Sequence, residues 1–315
     1  MLYENNPLSV ICSLVCDHDK QCEGHCVLGR KGAPVHFSSI ENYISDSYLD
    51  HLHLEMQPKT GQRVAIIGSG PAGITISILL AQRGYQVTMF ESREKIGGVL
   101  RYGIPEFRLP KSILDRYQKQ LSLIHISEPT RRSYQKQLTQ LGIRIRPNTA
   151  IGRTLTVDDL QRDGYEAIFI GTGVWKPKAM GIPGESLGNV NYAIDYLVNP
   201  DVYDLGDDLV VIGAGNSAMD VARTALRKGV RRVNVFCRRY QTAASVREVD
   251  YAKADGVEFF YGMRPTRIVD DGVYYKKVEM NEEGNITSTS EEQFFPCSSV
   301  IIAISQGCLL YTSPS

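Results

Sequence analysis

No apolar run in this 315-residue chain approaches the ~20 residues that span a bilayer. The longest, such as Val300 to Ile304 and Leu209 to Ile212, are the length of strands. The N-terminus has no basic stretch leading into a clean apolar segment, because Glu4, Asn5 and Asn6 intervene, so a secretory signal is not expected and the cytoplasm is. Charge of one sign is also missing: Lys+Arg and Asp+Glu each number 35. No net field remains to hold nucleic acid or an anionic membrane, and neither is expected as a partner. Between Gly68 and Gly307 there is no CxxC or CxxxxC spacing, which excludes a redox-active cysteine pair of that kind.

What is present is enough apolar material, 43% of residues, for two or more cores. Four of the seven cysteines crowd into Cys12 to Cys26 with x3, x5, x3 spacing, whereas Cys237 and Cys297 read as isolated core residues. In a reducing compartment such crowding indicates metal or cluster ligands more than disulfides. Zinc is one alternative, although the spacing lacks the usual CxxC knuckles.

Val64 to Ile67 is a β-type run that leads into Gly68-Ser69-Gly70-Pro71-Ala72-Gly73, and Ile74 to Arg83 has helical character. Gly68 allows the tight turn, Gly70 lets backbone approach a pyrophosphate, and Gly73 lets the helix pack on its strand. The phosphates would sit at the helix N-terminus. A second strand, Gln86 to Phe90, delivers Glu91, 23 positions after Gly68 and suited to the adenosine ribose hydroxyls.

The pattern recurs. Asp208 to Ile212 leads into Gly213-Ala214-Gly215-Asn216-Ser217-Ala218, a helix through Arg227 and a strand at Val233 to Phe236. Here the strand ends in Cys237-Arg238-Arg239, and two guanidinium groups at the ribose edge suit a 2′-phosphate, favouring NADPH. The alternative is a solvated basic edge, since Arg231 and Arg232 nearby also need a role. Two dinucleotide sites imply hydride transfer between a mobile donor and a bound flavin, chemistry that belongs to the cofactors, so no catalytic side chain is assigned.

Two stretches interrupt this text. YQKQL occurs at residues 117–121 and again at 134–138, and removing 121–137 heals the sequence into one amphipathic helix, KSILDRYQKQLTQLGIRI, closed by Gly142. Pro129 opposes a helix within the insertion. Leu121 to Arg131 reads as one frame of a common sequencing-library adapter, and Cys308 to Ser315 as the next frame of the same oligonucleotide. Both 121–137 and 308–315 are therefore expected to be assembly artefacts.

Between the glycine turns runs Gly97-Gly98-Val99-Leu100-Arg101-Tyr102-Gly103-Ile104-Pro105-Glu106-Phe107-Arg108-Leu109-Pro110. It closely resembles the flavin-binding stretch of the glutamate synthase small subunit family, shared with the N-terminal half of dihydropyrimidine dehydrogenase and with NADPH-ferredoxin transhydrogenase large subunits. The resemblance covers Asn6 to Gly307 apart from the insertion. It implies FAD in the first site, contacted by Gly70, Pro71, Ala72, Gly73, Ile74, Glu91, Gly98, Leu100 and Arg108. It implies NADPH in the second, held by Ala214, Gly215, Asn216, Ser217, Arg238 and Arg239.

The implied architecture is α/β. A small helical iron-sulfur segment (1–58) precedes a Rossmann-like FAD domain (61–180), into which a Rossmann-like NAD(P)H domain (181–298) is inserted. Gly171-Thr172-Gly173 would be the crossover and 299–307 the return strand. By resemblance, Cys16, Cys22 and the carboxylate of Glu41 would bind one [4Fe-4S] cluster and Cys26 would reach a second, with further ligands from an earlier cassette that would precede Met1. The chain is thus expected to be truncated at both ends, lacking also a C-terminal Gly-Asp return to the flavin. Asp17, Ser305 and the stretch Thr242 to Val246 depart from the family pattern, each expected to loosen a local contact. The implied activity is passage of electrons from NADPH through FAD and iron-sulfur clusters to a partner subunit, a glutamate synthase large subunit. Alternatives are the electron-entry part of a pyrimidine-reducing or ferredoxin-coupled relative, or a nucleotide-binding module without turnover.

Overall fold

The computed structural model describes residues 2–51, 56–121, 141–280 and 286–307. Most of the suspected insertion and the whole C-terminal stretch 308–315 lie outside the described residues. The chain divides into two compact units, one of residues 1–102 and 106–173 and the other of residues 103–105 and 174–315.

The first unit begins with helices α1 (Leu2–Asn5), α2 (Ser9–Val15) and α3 (Phe37–Leu49), of which α2 and α3 pack together. They bury Val10, Ile11 and Leu49. A four-stranded sheet follows, built from β1 (Arg63–Ile67), β2 (Gln86–Phe90), β3 (Arg144–Arg146) and β4 (Ala167–Ile170) in the order β3-β2-β1-β4. Every neighbouring pair is parallel. The apolar run Val64–Ile67 is buried along its whole length, as expected for a central parallel strand. The helices of this part are α4 (Pro71–Gln82), α5 (Val99–Tyr102), α6 (Lys111–Leu121) and α7 (Val157–Arg162). Thr156 and Asp159 close α7 with a reciprocal capping box.

Helix α6 buries Ile113, Leu114, Tyr117 and Leu121 and holds the N-terminal helices. Arg116 bridges Asp50 at 3.0 Å and also Asp46, while the Gln120 side chain donates to the Leu49 carbonyl. Beyond its end, the Leu141 N–H donates to the Gln120 carbonyl at 3.3 Å and the Ile143 N–H to the Leu121 carbonyl at 3.0 Å. Gly142 between them has φ +67°. Leu121 and Leu138 are both leucine, so excising 121–137 or 122–138 gives the same sequence. In that numbering the two bonds become i→i−4 and i→i−5, with glycine in the left-handed position and both Ile143 and Leu121 buried. These are the bonds of a helix C-terminus closed by a Schellman motif.

The second unit contains β5 (Lys176–Pro177), β6 (Val190–Tyr192), β7 (Asp208–Ile212), β8 (Arg232–Cys237), β9 (Glu258–Tyr261), β10 (Met263–Val269), β11 (Gly272–Met280), β12 (Ile286–Pro296), β13 (Ser299–Ile302) and β14 (Gln306–Gly307). Its helices are α8 (Ala193–Val198), α9 (Asn216–Arg227) and α10 (Val246–Ala254). A five-stranded sheet in the order β6-β13-β7-β8-β9 is parallel at every pairing. One face packs on its helices through Leu209, Val211, Val233 and Val235 against Met219, Ala222 and Val249. The other face, with Val210, Ile212 and Phe236, meets Ile268, Val273 and Phe295 of the antiparallel sheet β10-β11-β12.

Residues 299–307 do not form one return strand. Ser299–Ile302 completes the second unit's own sheet between β6 and β7, and Gln306–Gly307 alone pairs, antiparallel, with Lys176–Pro177. The apolar run Val300–Ile302 is fully buried there, and that burial assigns it to a central position.

Candidate functional site

In the first unit the glycine turn, the acid and the flavin-type stretch converge. Gly70 caps α4 and Pro71 occupies its first turn. A Cβ on Gly73 would lie 1.9 Å from the Gly68 carbonyl oxygen, so the helix approaches the turn more closely than any other residue allows. Glu91, buried at the end of β2, accepts from the Ser69 N–H at 3.1 Å and from the Ser69 hydroxyl through one oxygen. Its other oxygen accepts from the Ser92 hydroxyl at 3.1 Å and the Arg93 N–H at 2.8 Å. The acid expected to meet the ribose is thus fixed by the serine inside the glycine turn, a partner at a variable position of the pattern that carried no sequence signal.

The Gly97 N–H donates to the Ser69 carbonyl at 2.9 Å, laying the flavin-type stretch over the turn. Gly98 has φ +52°, and a Cβ there would stand 2.7 Å from the Gly70 Cα. Leu100 is buried behind it. Ala72 and Ile74 lie in α4, Ile74 fully buried. Arg108 reaches back to the cysteine segment, its Nη2 donating to the Val15 carbonyl at 3.4 Å.

In the second unit the turn after β7 opens on a cavity of about 310 Å³ lined by Gly215, Asn216, Ser217, Ala193, Ile304 and Ser305, among others. A Cβ on Gly215, the N-cap of α9, would meet nothing within 4 Å. Phosphate can therefore approach the N–H groups of this helix end. Ala218 is wholly buried under the turn. The cavity lies where the sheet order reverses between β7 and β13, the usual ligand position of such sheets.

The basic edge separates into two pairs. Arg231 bridges Asp207 at 3.3 Å, and Arg232 forms a two-pronged bridge to Asp208 at the opening end of β8. Arg238 and Arg239, at the closing end beside the glycine turn, are exposed and have no ion-pair partner among the described residues. The atypical stretch 242–246 is not loose: Ala243 and Ala244 N–H groups both donate to the Ala214 carbonyl at 2.9 Å.

The cysteine segment is less complete. Cys16 ends α2 and Glu41 lies on α3. Burial raises the Cys16 thiol pKa, and the negative forms of Cys12, Cys22, Asp17 and Glu41 add to the rise, so these groups share one electrostatic neighbourhood. The Cys22 sulfur is 3.3 Å from His18 Nδ1, a residue that sequence reasoning missed. Cys26 faces elsewhere, its sulfur accepting from the Val35 N–H at 3.5 Å, which lowers its pKa. Among the described residues no group of three or more His, Cys, Asp or Glu is arranged to hold a metal ion. Cys237 and Cys297 are buried, their thiols pushed up to about 11 and about 12 chiefly by desolvation, which leaves them inert.

Residues 62–307 match the family described as "Pyridine nucleotide-disulphide oxidoreductase". The chain belongs to that family. Residues 1–52 match "Dihydroprymidine dehydrogenase domain II, 4Fe-4S cluster". Among curated proteins, the glutamate synthase [NADPH] small chain of Azospirillum brasilense is 34% identical over 85% of this chain and 56% of its own length. Subunit PreT of the NAD-dependent dihydropyrimidine dehydrogenase of Escherichia coli O157:H7 is 31% identical over 96% of this chain and 68% of its own. The chain spans 56 to 66% of the length of three glutamate synthase small chains that it matches. The crystal structure of T. acidophilum thioredoxin reductase shares the fold, with TM-score 0.53 and 20% identity over 77% of this chain and 76% of that one. The chain thus joins a segment of 4Fe-4S type at its N-terminus to a region of the pyridine nucleotide-disulphide oxidoreductase family. No described helix is long and apolar enough to cross a membrane.

Proposed function

We propose that this protein is an electron-entry component that accepts a hydride from NADPH onto FAD and passes electrons to a partner resembling a glutamate synthase large subunit. The observation that carries the choice of NADPH is the division of the basic edge. Arg231 and Arg232 are engaged by Asp207 and Asp208, whereas Arg238 and Arg239 have no ion-pair partner among the described residues beside the second glycine turn. Two such guanidinium groups there suit a doubly charged 2′-phosphate.

Both nucleotide sites fit their groups: at the first, Gly70 has no atom nearer than 4.0 Å to where its Cβ would stand, and at the second, Gly215 leaves open space at the N-terminus of α9. When bound, the nicotinamide and flavin supply the hydride chemistry. The protein's part is to bind and orient. Glu91, locked by Ser69 and Arg93, presents fixed acceptors to ribose hydroxyls. The N–H groups of α4 and α9 face pyrophosphates. The cysteines of this chain fit a [4Fe-4S] centre only in part, so no onward step is assigned to them here.

The test is the visible spectrum of the anaerobically purified chain, supplied with FAD, before and after NADPH. Bleaching of the flavin band by NADPH, and more slowly by NADH, is the expected result. A chain that takes up no flavin, or whose flavin is not bleached, overturns the reading in favour of a nucleotide-binding module without turnover.

A further inference from the structure

Beside the second glycine turn, the segment carrying Arg238 and Arg239 is tied down at both ends. At its start, the Tyr240 hydroxyl donates to the Val278 carbonyl at 3.1 Å. At its end, Ala243 and Ala244 bond the Ala214 carbonyl, and the Ser245 N–H donates to the side-chain Oδ1 of Asn216 at 3.0 Å. Asn216 is the first residue of α9, inside the nucleotide-binding turn. Ser245 is also the N-cap of α10, its hydroxyl accepting from the Glu248 N–H at 3.4 Å. The Glu248 carboxylate in turn meets Arg223 of α9 at 2.8 Å, both side chains about nine-tenths buried. The links form a closed ring: glycine turn, arginine segment, α10, α9 and back to the turn.

We propose that Asn216 is a positioning residue for cofactor choice, its amide oxygen latching the arginine segment to the glycine turn so that Arg238 and Arg239 are held at the 2′ position of the adenosine ribose. This rests on the NADPH reading above. One of the two lone pairs of Oδ1 is thereby engaged by the loop backbone. The loop residues Thr242, Ala243, Ala244 and Ser245 are small, with Ala244 buried in the core; backbone hydrogen bonds help to fix their path, and the Asn216 bond is one that a side-chain substitution can remove. Losing it frees the segment that bears the guanidinium groups while leaving Gly213, Gly215 and the α9 N-terminus in place. The 2′-phosphate contact then weakens and the pyrophosphate contact does not.

The test is calorimetric titration of the full chain with NADP+ and with NAD+, comparing wild type, Asn216→Ala and Asn216→Asp. Asn216→Ala is expected to weaken NADP+ roughly tenfold, the size of one lost hydrogen bond plus loosened charge contacts, with NAD+ changed less than about twofold. Asn216→Asp keeps an acceptor at the same place, but its charge repels NADP+ more than NAD+, so in this variant the restored latch is read at the Ser245 amide. Faster hydrogen exchange at the Ser245 amide in Asn216→Ala, restored in Asn216→Asp, reports the latch without any nucleotide. Equal loss of both nucleotides in Asn216→Ala would assign Asn216 to the shared pyrophosphate and overturn the inference, as would an unchanged ratio. A wild-type chain without NADP+ preference defeats the NADPH reading itself, whereas a wild-type preference that survives Asn216→Ala defeats only the latch.

Discussion

Gly98 has φ +52° and stands where any Cβ would press on the Gly70 Cα at 2.7 Å. An alanine there must displace either its own stretch or the nucleotide turn, with strain on the order of 1–3 kcal/mol. Gly98→Ala is therefore expected to lower FAD affinity by tenfold or more, read as the ratio of flavin to protein absorbance after gel filtration. NADP+ binding, a property of the other unit, should be unchanged; equal loss of both would show a general folding defect. The conformation of the glycine turns was legible in the sequence, because positive φ and close backbone approach tolerate few residues other than glycine. Ser69 and the loop-holding role of Asn216 were not, because each acts through a hydrogen bond to a residue 22 or 29 positions away, and the pattern allows many residues at either place.

Elements follow the same division. The bounds of β2, β7 and α9 coincide with the apolar runs and glycine turns that announced them. The strand at Ser299–Ile302 was correctly seen as a strand and misplaced in its sheet, because a buried parallel strand reads as the same apolar run in either domain. Helix α6 supports a prediction at this scale. Its Gln120 and Leu121 carbonyls already bond Leu141 and Ile143 in the pattern of an unbroken, glycine-closed helix. Excision of 121–137 is expected to leave far-ultraviolet circular dichroism native and to raise the melting temperature, since about 1–3 kcal/mol of loop closure is no longer required. A deletion variant that fails to fold, or melts lower, would show that the insertion belongs to the protein.

The α9–α10 junction gives a dependence on pH. Burial alone would raise the Asp255 pKa, but hydrogen bonds from Arg227 and Arg223 at 2.8 Å outweigh it and hold the group below the ordinary carboxylate value. A depressed folded value contributes stability that is present above the unfolded value of about 3.9 and is lost as pH falls through the lower folded value. Asp255→Asn should accordingly melt lower than wild type at pH 7 and converge with it in strong acid, as followed by thermal denaturation across pH 2–7. Parallel curves at all pH values would remove the ion pairs from the explanation.

At the scale of the molecule, the two nucleotide sites belong to different compact units, each with its own parallel sheet and core. A ligand stabilises the unit that binds it by RT ln(1 + [L]/Kd), about 2.7 kcal/mol at a hundredfold excess over Kd. If each unit melts as its own cooperative block, calorimetry of the chain should show two transitions. FAD should raise the one that Gly98→Ala lowers, and NADP+ should raise the other. The choice of ligand then tests the assignment of cofactors to sites independently of turnover: NADP+ shifting the transition governed by Gly98 would exchange the two sites. A single transition that both ligands raise would mean that the units melt as one block. Binding energy gained at either glycine turn would then stabilise the whole chain, and the loss of FAD in Gly98→Ala would lower that single transition without changing the affinity of the folded chain for NADP+.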